Sequence, residues 1–132
     1  MRAATAPIVM ALALAAASLG GCQKQLEAPI AAGVCWQLVQ PPGGAPKFNK
    51  LASGQPDLEH CAAQLEMMRL RFAALGAGQT EVTGAYQGQF LFLQRQGVFT
   101  SQSYGGYRYP FMVRTGDGRL AVPGAMPQAP QR

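Results

Sequence analysis

"DLEHCAAQLEMMRLRFAAL", residues 57 to 75, is the stretch that declares a helix, and the fold follows from what that helix packs against. Pro56 stands where a helix start tolerates proline, Asp57 and Glu59 place negative charge at the positive end, and Gly76 marks the stop. Leu58, Cys61, Ala62, Leu65, Met68, Phe72 and Leu75 recur at three- and four-residue steps, which predicts one apolar stripe. Glu59, Glu66 and Arg69 fall largely outside the stripe, as does Arg71, and read as a solvated face. An amphipathic helix of this kind needs a second layer to pack on.

The flanking sequence supplies one. Val34 to Val39 (VCWQLV) is β-branched and aromatic, and predicts a first strand. The run PPGGAP, residues 41 to 46, is a loop, and KFNKLA, residues 47 to 52, reads as a short second strand. Beyond Gly78 the pattern turns strand-like at 80–83, 86–94, 98–104, 107–115 and 119–122. Arg95-Gln96-Gly97, Gly105-Gly106 and Gly116-Asp117-Gly118 punctuate it. Such short connections favour antiparallel neighbours. Pro110 predicts an edge or a bulge in its strand. The expected fold is α+β: a small curved antiparallel sheet with one amphipathic helix on a face. A domain over 34–122 would follow a tether at 22–33 and precede a disordered tail at 123–132.

At the other end of the chain, Arg2, the apolar run Pro7 to Ala17 (PIVMALALAAA) and the small residues up to Gly21 have the three parts of a secretory signal. A membrane-spanning helix needs roughly 20 apolar residues, more than this run holds. The segment Leu19-Gly20-Gly21-Cys22 resembles the lipobox of bacterial lipoproteins. The resemblance covers residues 1–22 only. It implies a signal peptide at 1–21 that is cleaved before Cys22, diacylation of the Cys22 sulfur, and acylation of the new amine. One acyl chain binds membranes marginally, whereas two or more anchor stably. Gln23 stands where lipoproteins kept in the inner membrane carry aspartate, so the resemblance implies the outer membrane, facing the periplasm.

Three cysteines are an odd count for an exported chain. Assigning Cys22 to lipid leaves Cys35 and Cys61, which read as a disulfide in an oxidising compartment. Two buried thiols are the other reading. Closing a loop of this length contributes about 3 kcal/mol, which matters for a mature chain that holds a single core. Such a bond would point Cys35 at the helix. Side chains alternate along a strand, so Trp36 and Leu38 would then face away. The run FLFL, residues 90 to 93, is likewise apolar on both sides. Something must therefore cover the second face: either the sheet closing toward a small barrel, or a partner or second copy.

Catalytic chemistry is not legible. His60, the one histidine, neighbours Cys61 on the helix, but adjacent helical residues do not converge, and zinc-ligand spacings are missing. Glu59 and Glu66 lie two turns apart, too far for joint acid–base work. Asp117 reads as turn chemistry, Ser101 and Ser103 lack a nucleophile-elbow context, and the glycines fit no phosphate-binding loop. Met67-Met68 reads as helix packing. No enzyme activity, catalytic residue, metal site or cofactor is expected.

YGGYRYPF, residues 104 to 111, is the strongest binding candidate: Tyr104, Tyr107, Arg108 and Tyr109, with Trp36 on the second face, could meet a ligand or partner. Alternation places Tyr107, Tyr109, Phe111 and Val113 on one face and Arg108, Met112 and Arg114 on the other. Loss of Arg2 on cleavage leaves ten basic and six acidic side chains, a weak pull toward anionic envelope polymers. Nucleic acid is not expected, since export separates the chain from it. The expectation is a small lipid-anchored envelope protein with a structural or interaction role. Its partners would be the membrane, reached through the lipid, and an envelope protein or a second copy. A periplasmic glycan- or lipopolysaccharide-binding module, taking an anionic glycan, is the alternative.

Overall fold

The fold is that of a computed structural model, which describes residues 25–76 and 81–124. The expected signal peptide, the expected lipidation site Cys22 and positions 125–132 of the expected tail lie outside the described residues. One helix, α1 (Leu58–Ala74), packs on seven strands: β1 (Cys35–Val39), β2 (Lys47–Ala52), β3 (Val82–Tyr86), β4 (Gln89–Gln94), β5 (Gly97–Ser101), β6 (Tyr109–Arg114) and β7 (Leu120–Ala121). All neighbours are antiparallel, in the order β2-β1-β3-β4-β5-β6-β7. The sheet is open, with β2 and β7 as its edges, so closure into a barrel is not what covers its second face. The α+β expectation holds at this level: mostly sheet, with one helix.

Asp57 caps α1, its carboxylate accepting the His60 backbone N–H at 2.8 Å. This satisfies one of the donors that a helix start leaves free. Cys61, Ala62 and Leu65 are fully buried and Met68 nearly so, with Leu58 and Phe72 packed around them. Leu75 ends the expected stripe but is 81% exposed, because the helix stops one residue before it. Across the sheet Val82, Tyr86, Leu91, Leu93, Val98 and Met112 complete this helix-side core. The helix comes closest at Gly84. A Cβ there would fall 2.6 Å from the Trp36 carbonyl oxygen and closer still to Leu65. Only glycine lets Leu65 seat so low on the strand.

Cys35 and Cys61 are bonded, with Cα atoms 5.2 Å apart, tying β1 to the first turn of α1. The register shift beside Cys35 leaves Leu51 as the extra residue of β2, so alternation along β1 survives it. Cys35 enters the helix-side core and Trp36 the cluster on the opposite face, as the disulfide requires.

Two elements differ from expectation. Tyr86 to Gln94 reads as one strand but is cut by a two-residue turn at Gln87-Gly88, both with positive φ. Tight hairpins need that backbone, which glutamine adopts reluctantly. Here the Gln87 side chain accepts the Gly33 N–H at 2.9 Å, and the Gly88 N–H donates to the Pro29 carbonyl at 3.0 Å. Residues 25–33, expected as a tether, therefore run against the domain. Ala28 is buried and Leu26 packs beside it on the face away from the helix.

Candidate functional site

The face opposite the helix is built on Phe90 and Phe92, which alternate with Leu91 and Leu93 along β4. Phe48, Phe90 and Phe92 form a row with ring centroids 6.2 Å apart at each step. Ala85 lies among them, and Trp36 and Phe99 pack at the margins. The Trp36 indole nitrogen is buried with no hydrogen-bond partner among the described residues. An unpaired buried donor of this kind costs about 1–3 kcal/mol.

The chain itself covers much of this face. Between β5 and β6, Tyr104 and Arg108 reach back over it. The Tyr104 ring sits edge-on to Phe90 at 5.7 Å and tilted against Phe92 at 6.0 Å. The Arg108 guanidinium carbon lies 3.7 Å from the Phe92 ring centroid. A planar cation over an aromatic face gains from the ring quadrupole. Leu26 and Ala28 cover another part.

The four candidates in the β5–β6 segment are thus divided. Tyr104, still 42% exposed, and Arg108 lay their side chains on the phenylalanines as a cover, while Tyr107 and Tyr109 stay 71% and 59% exposed. These two rings meet edge-to-face, 4.7 Å apart and at 70°. The expected strand alternation fails here for two reasons. β6 starts at Tyr109 rather than Tyr107, and beside Pro110 the pairing with β5 skips Phe111. Arg108 consequently lies over Phe92, whereas Met112 and Arg114 lie on the helix side.

Tyr107 and Tyr109 form part of the wall of a cleft of about 410 Å³, with Gln89, Thr100, Ser101, Gln102, Ser103 and Gly106. Gln89 and Thr100 pair with the helix-side residues Tyr86 and Leu91, whereas Ser101 pairs with Phe90 of the opposite face, so the cleft lies at the end of the sheet formed by β4 and β5, near the β3–β4 turn. Its loop wall is tight. The Ser101 hydroxyl donates to the Ser103 carbonyl at 2.6 Å, and the Gly106 N–H donates to the same carbonyl at 3.2 Å. A side chain at Gly106 would run into the Ser103 hydroxyl. Trp36 is not among the residues that line this cleft.

Glu66 corrects the expectation of a solvated helix face. Its side chain is 3% exposed and held by two arginines. Arg69, one turn on, makes a two-pronged contact at 2.7 and 2.8 Å. Arg114 from β6 adds bonds of 2.7 and 3.2 Å. Burial alone would raise the Glu66 pKa, but the two guanidiniums outweigh it and hold the carboxyl at about 2. Arg114 also donates to the Gln94 and Arg95 carbonyls, so the cluster pins α1 to the β4–β5 hairpin and to β6. An arginine three residues after a glutamate was readable in the chain. Its partner 48 residues away was not.

No family model matches this chain, and no curated protein or solved structure matches it either. Its chemistry must be argued from its own residues. His60 is exposed and bonds only Asp57 among the described residues, at 2.6 Å from Nδ1. Among those residues no three His, Cys, Asp or Glu side chains are grouped to hold a metal ion, and no helix is long and apolar enough to cross a membrane. Asp117 closes the β6–β7 turn, accepting from the Thr115 hydroxyl and the Arg119 N–H.

Proposed function

We propose that this is a small cell-envelope lipoprotein, anchored through acyl chains at Cys22, whose folded domain has an interaction role rather than a catalytic one. The lipobox-like segment before Cys22 supports the anchor, and Gln23 supports the outer membrane, facing the periplasm. The docking of Leu26 and Ala28 adds a consequence. Leu26 is the fourth residue after Cys22, and extended chain reaches about 14 Å over four residue steps. The domain would lie close against the bilayer, not swing on a long tether. On this reading the sheet curves around an amphipathic α1, whose Ala63, Met67 and Arg71 turn outward.

The observation that carries the interaction role is the pair Tyr107 and Tyr109, large rings left in water at the rim of a cleft. Exposed aromatic side chains with one polar tip are typical anchors of binding surfaces. The test places a photo-crosslinking amino acid at Tyr107 in the full-length protein in intact cells. A discrete adduct with one envelope component is expected, and none from the same probe at exposed Arg71 on the helix. Equal, diffuse labelling from both positions would overturn the role. Intact mass tests the anchor separately: a chain beginning at Met1 without acyl mass would remove it.

A glycan-binding module is the second reading, favoured by the polar lining of the same cleft.

A further inference from the structure

We propose that the cleft between the start of β4, the end of β5 and the Gln102–Tyr109 segment binds an uncharged, hydroxyl-rich sugar ring, not an anionic one. This rests on the glycan reading above and narrows it. The lining is a particular mixture: the amides of Gln89 and Gln102, the hydroxyls of Thr100, Ser101 and Ser103, and the rings of Tyr107 and Tyr109. It contains no lysine, arginine, aspartate or glutamate. The arginine that could have served an anion, Arg108, is turned away and stacked on Phe92.

Recognition of a neutral pyranose needs two things together. An aromatic face takes the ring's C–H side, where burying apolar area gains about 25 cal/mol per Å². Neutral donors and acceptors then meet the hydroxyls around its edge. Tyr107 and Tyr109 supply the first, braced against each other at 4.7 Å. For the second, some polar groups are already occupied. Thr100 donates to the Phe90 carbonyl at 3.0 Å and Ser101 to Ser103. The side-chain amides of Gln89 and Gln102 enter no hydrogen bond among the described residues, and each offers both donors and an acceptor. The volume, about 410 Å³, lies at the small end of small-molecule sites, roughly 300–1,000 Å³. The loop wall is fixed beforehand by the Ser101–Ser103–Gly106 contacts, which lowers the ordering cost of binding.

The experiment titrates the folded protein with three neutral trisaccharides, chitotriose, maltotriose and mannotriose, and with an anionic one, trigalacturonate. Side-chain amide signals of Gln89 and Gln102 and ring signals of Tyr107 and Tyr109 are followed by NMR. At least one neutral sugar is expected to shift these signals, with Kd on the order of 1 mM or tighter. Tyr107→Ala should weaken it at least tenfold. Gln102→Ala, at an exposed loop position that the fold does not need, should weaken it several-fold. Binding should persist in 1 M salt, where the Debye length is about 3 Å. No shift with any neutral sugar overturns the proposal. So does tighter binding of trigalacturonate that salt abolishes. A Tyr107 crosslink to an envelope protein without any sugar response would leave the interaction role standing and remove the sugar.

Discussion

The two faces of the sheet are covered in opposite ways. On the helix side a regular element is bonded covalently at its first turn, interlocks with a glycine at its middle, and is tied by a buried ion cluster to β6. On the other side the cover is irregular: a short N-terminal segment and the β5–β6 loop, held by aromatic contacts and one arginine over a ring. The first cover is part of what makes the domain fold. The second is assembled from segments that touch the sheet at few points, and such segments open at lower free energy than the core. Tyr107 and Tyr109, the residues proposed to bind, stand where that loop returns to β6.

The comparison is sharpest at the disulfide. Replacing Cys35 and Cys61 together by serine frees a loop closed over a separation of 26 residues, worth about 3.5 kcal/mol by loop-closure entropy. The expected result is a large drop in the urea midpoint, with helix and sheet signals lost together. A change below about 1 kcal/mol would mean that the helix is held by packing alone.

That bond was also the most legible feature of the chain. With Cys22 expected to carry lipid, the two other cysteines, one in a strand and one on an apolar helix stripe, predict the pairing, and alternation along β1 then predicts the direction of Trp36. The β2 boundaries and the helix start were legible for similar local reasons: Asp57 caps, and Lys47–Ala52 is bounded by proline and glycine. What escaped depends on distant partners. Gln87 takes a left-handed backbone because Gly33, 54 residues away, needs an acceptor. Glu66 is buried because Arg114 arrives from β6. Arg108 and Tyr104 form a cover because the strand starts two residues later than alternation suggests, with a bulge beside Pro110. Local periodicity carries no record of such pairings. The candidate residues of this segment are therefore divided otherwise than alternation suggests, with Tyr104 and Arg108 laid on the phenylalanines and Tyr107 and Tyr109 turned to solvent.

The ion cluster gives the next largest effect, and it depends on pH. Glu66 titrates at about 2 when folded, against 4.5 ordinarily. A carboxyl held low when folded contributes stability that is complete above pH 4.5 and lost as pH falls toward 2. Glu66→Gln should cost about 3 kcal/mol at neutral pH, the low end for breaking a buried pair, since both arginines keep some access to water. It should also flatten the fall in stability across that window. Asp57 and Asp117 titrate low as well, lowered chiefly by the His60 N–H and the Thr115 hydroxyl respectively. Both are exposed at turns or caps, so wild type and Glu66→Gln share their contribution. If urea denaturation shows equal pH slopes for the two proteins, the cluster does not hold the helix side.

The smallest effect tests the other cover. Arg108→Ala removes a cation from over Phe92 and should cost about 1 kcal/mol. Its signature should be local. The loop amides of Ser103 and Gly106, bonded to the Ser101 hydroxyl and the Ser103 carbonyl, should exchange with solvent about fivefold faster, the equivalent of about 1 kcal/mol. Amides of the helix-side core at Leu91 and Leu93 should change by no more than the global stability does. Arg108→Lys keeps the charge but loses the planar stack, so it should restore only part of the protection. A loss above about 2 kcal/mol that spreads equally to core amides would put the loop in the same cooperative unit as the helix, and the distinction between the two faces would go.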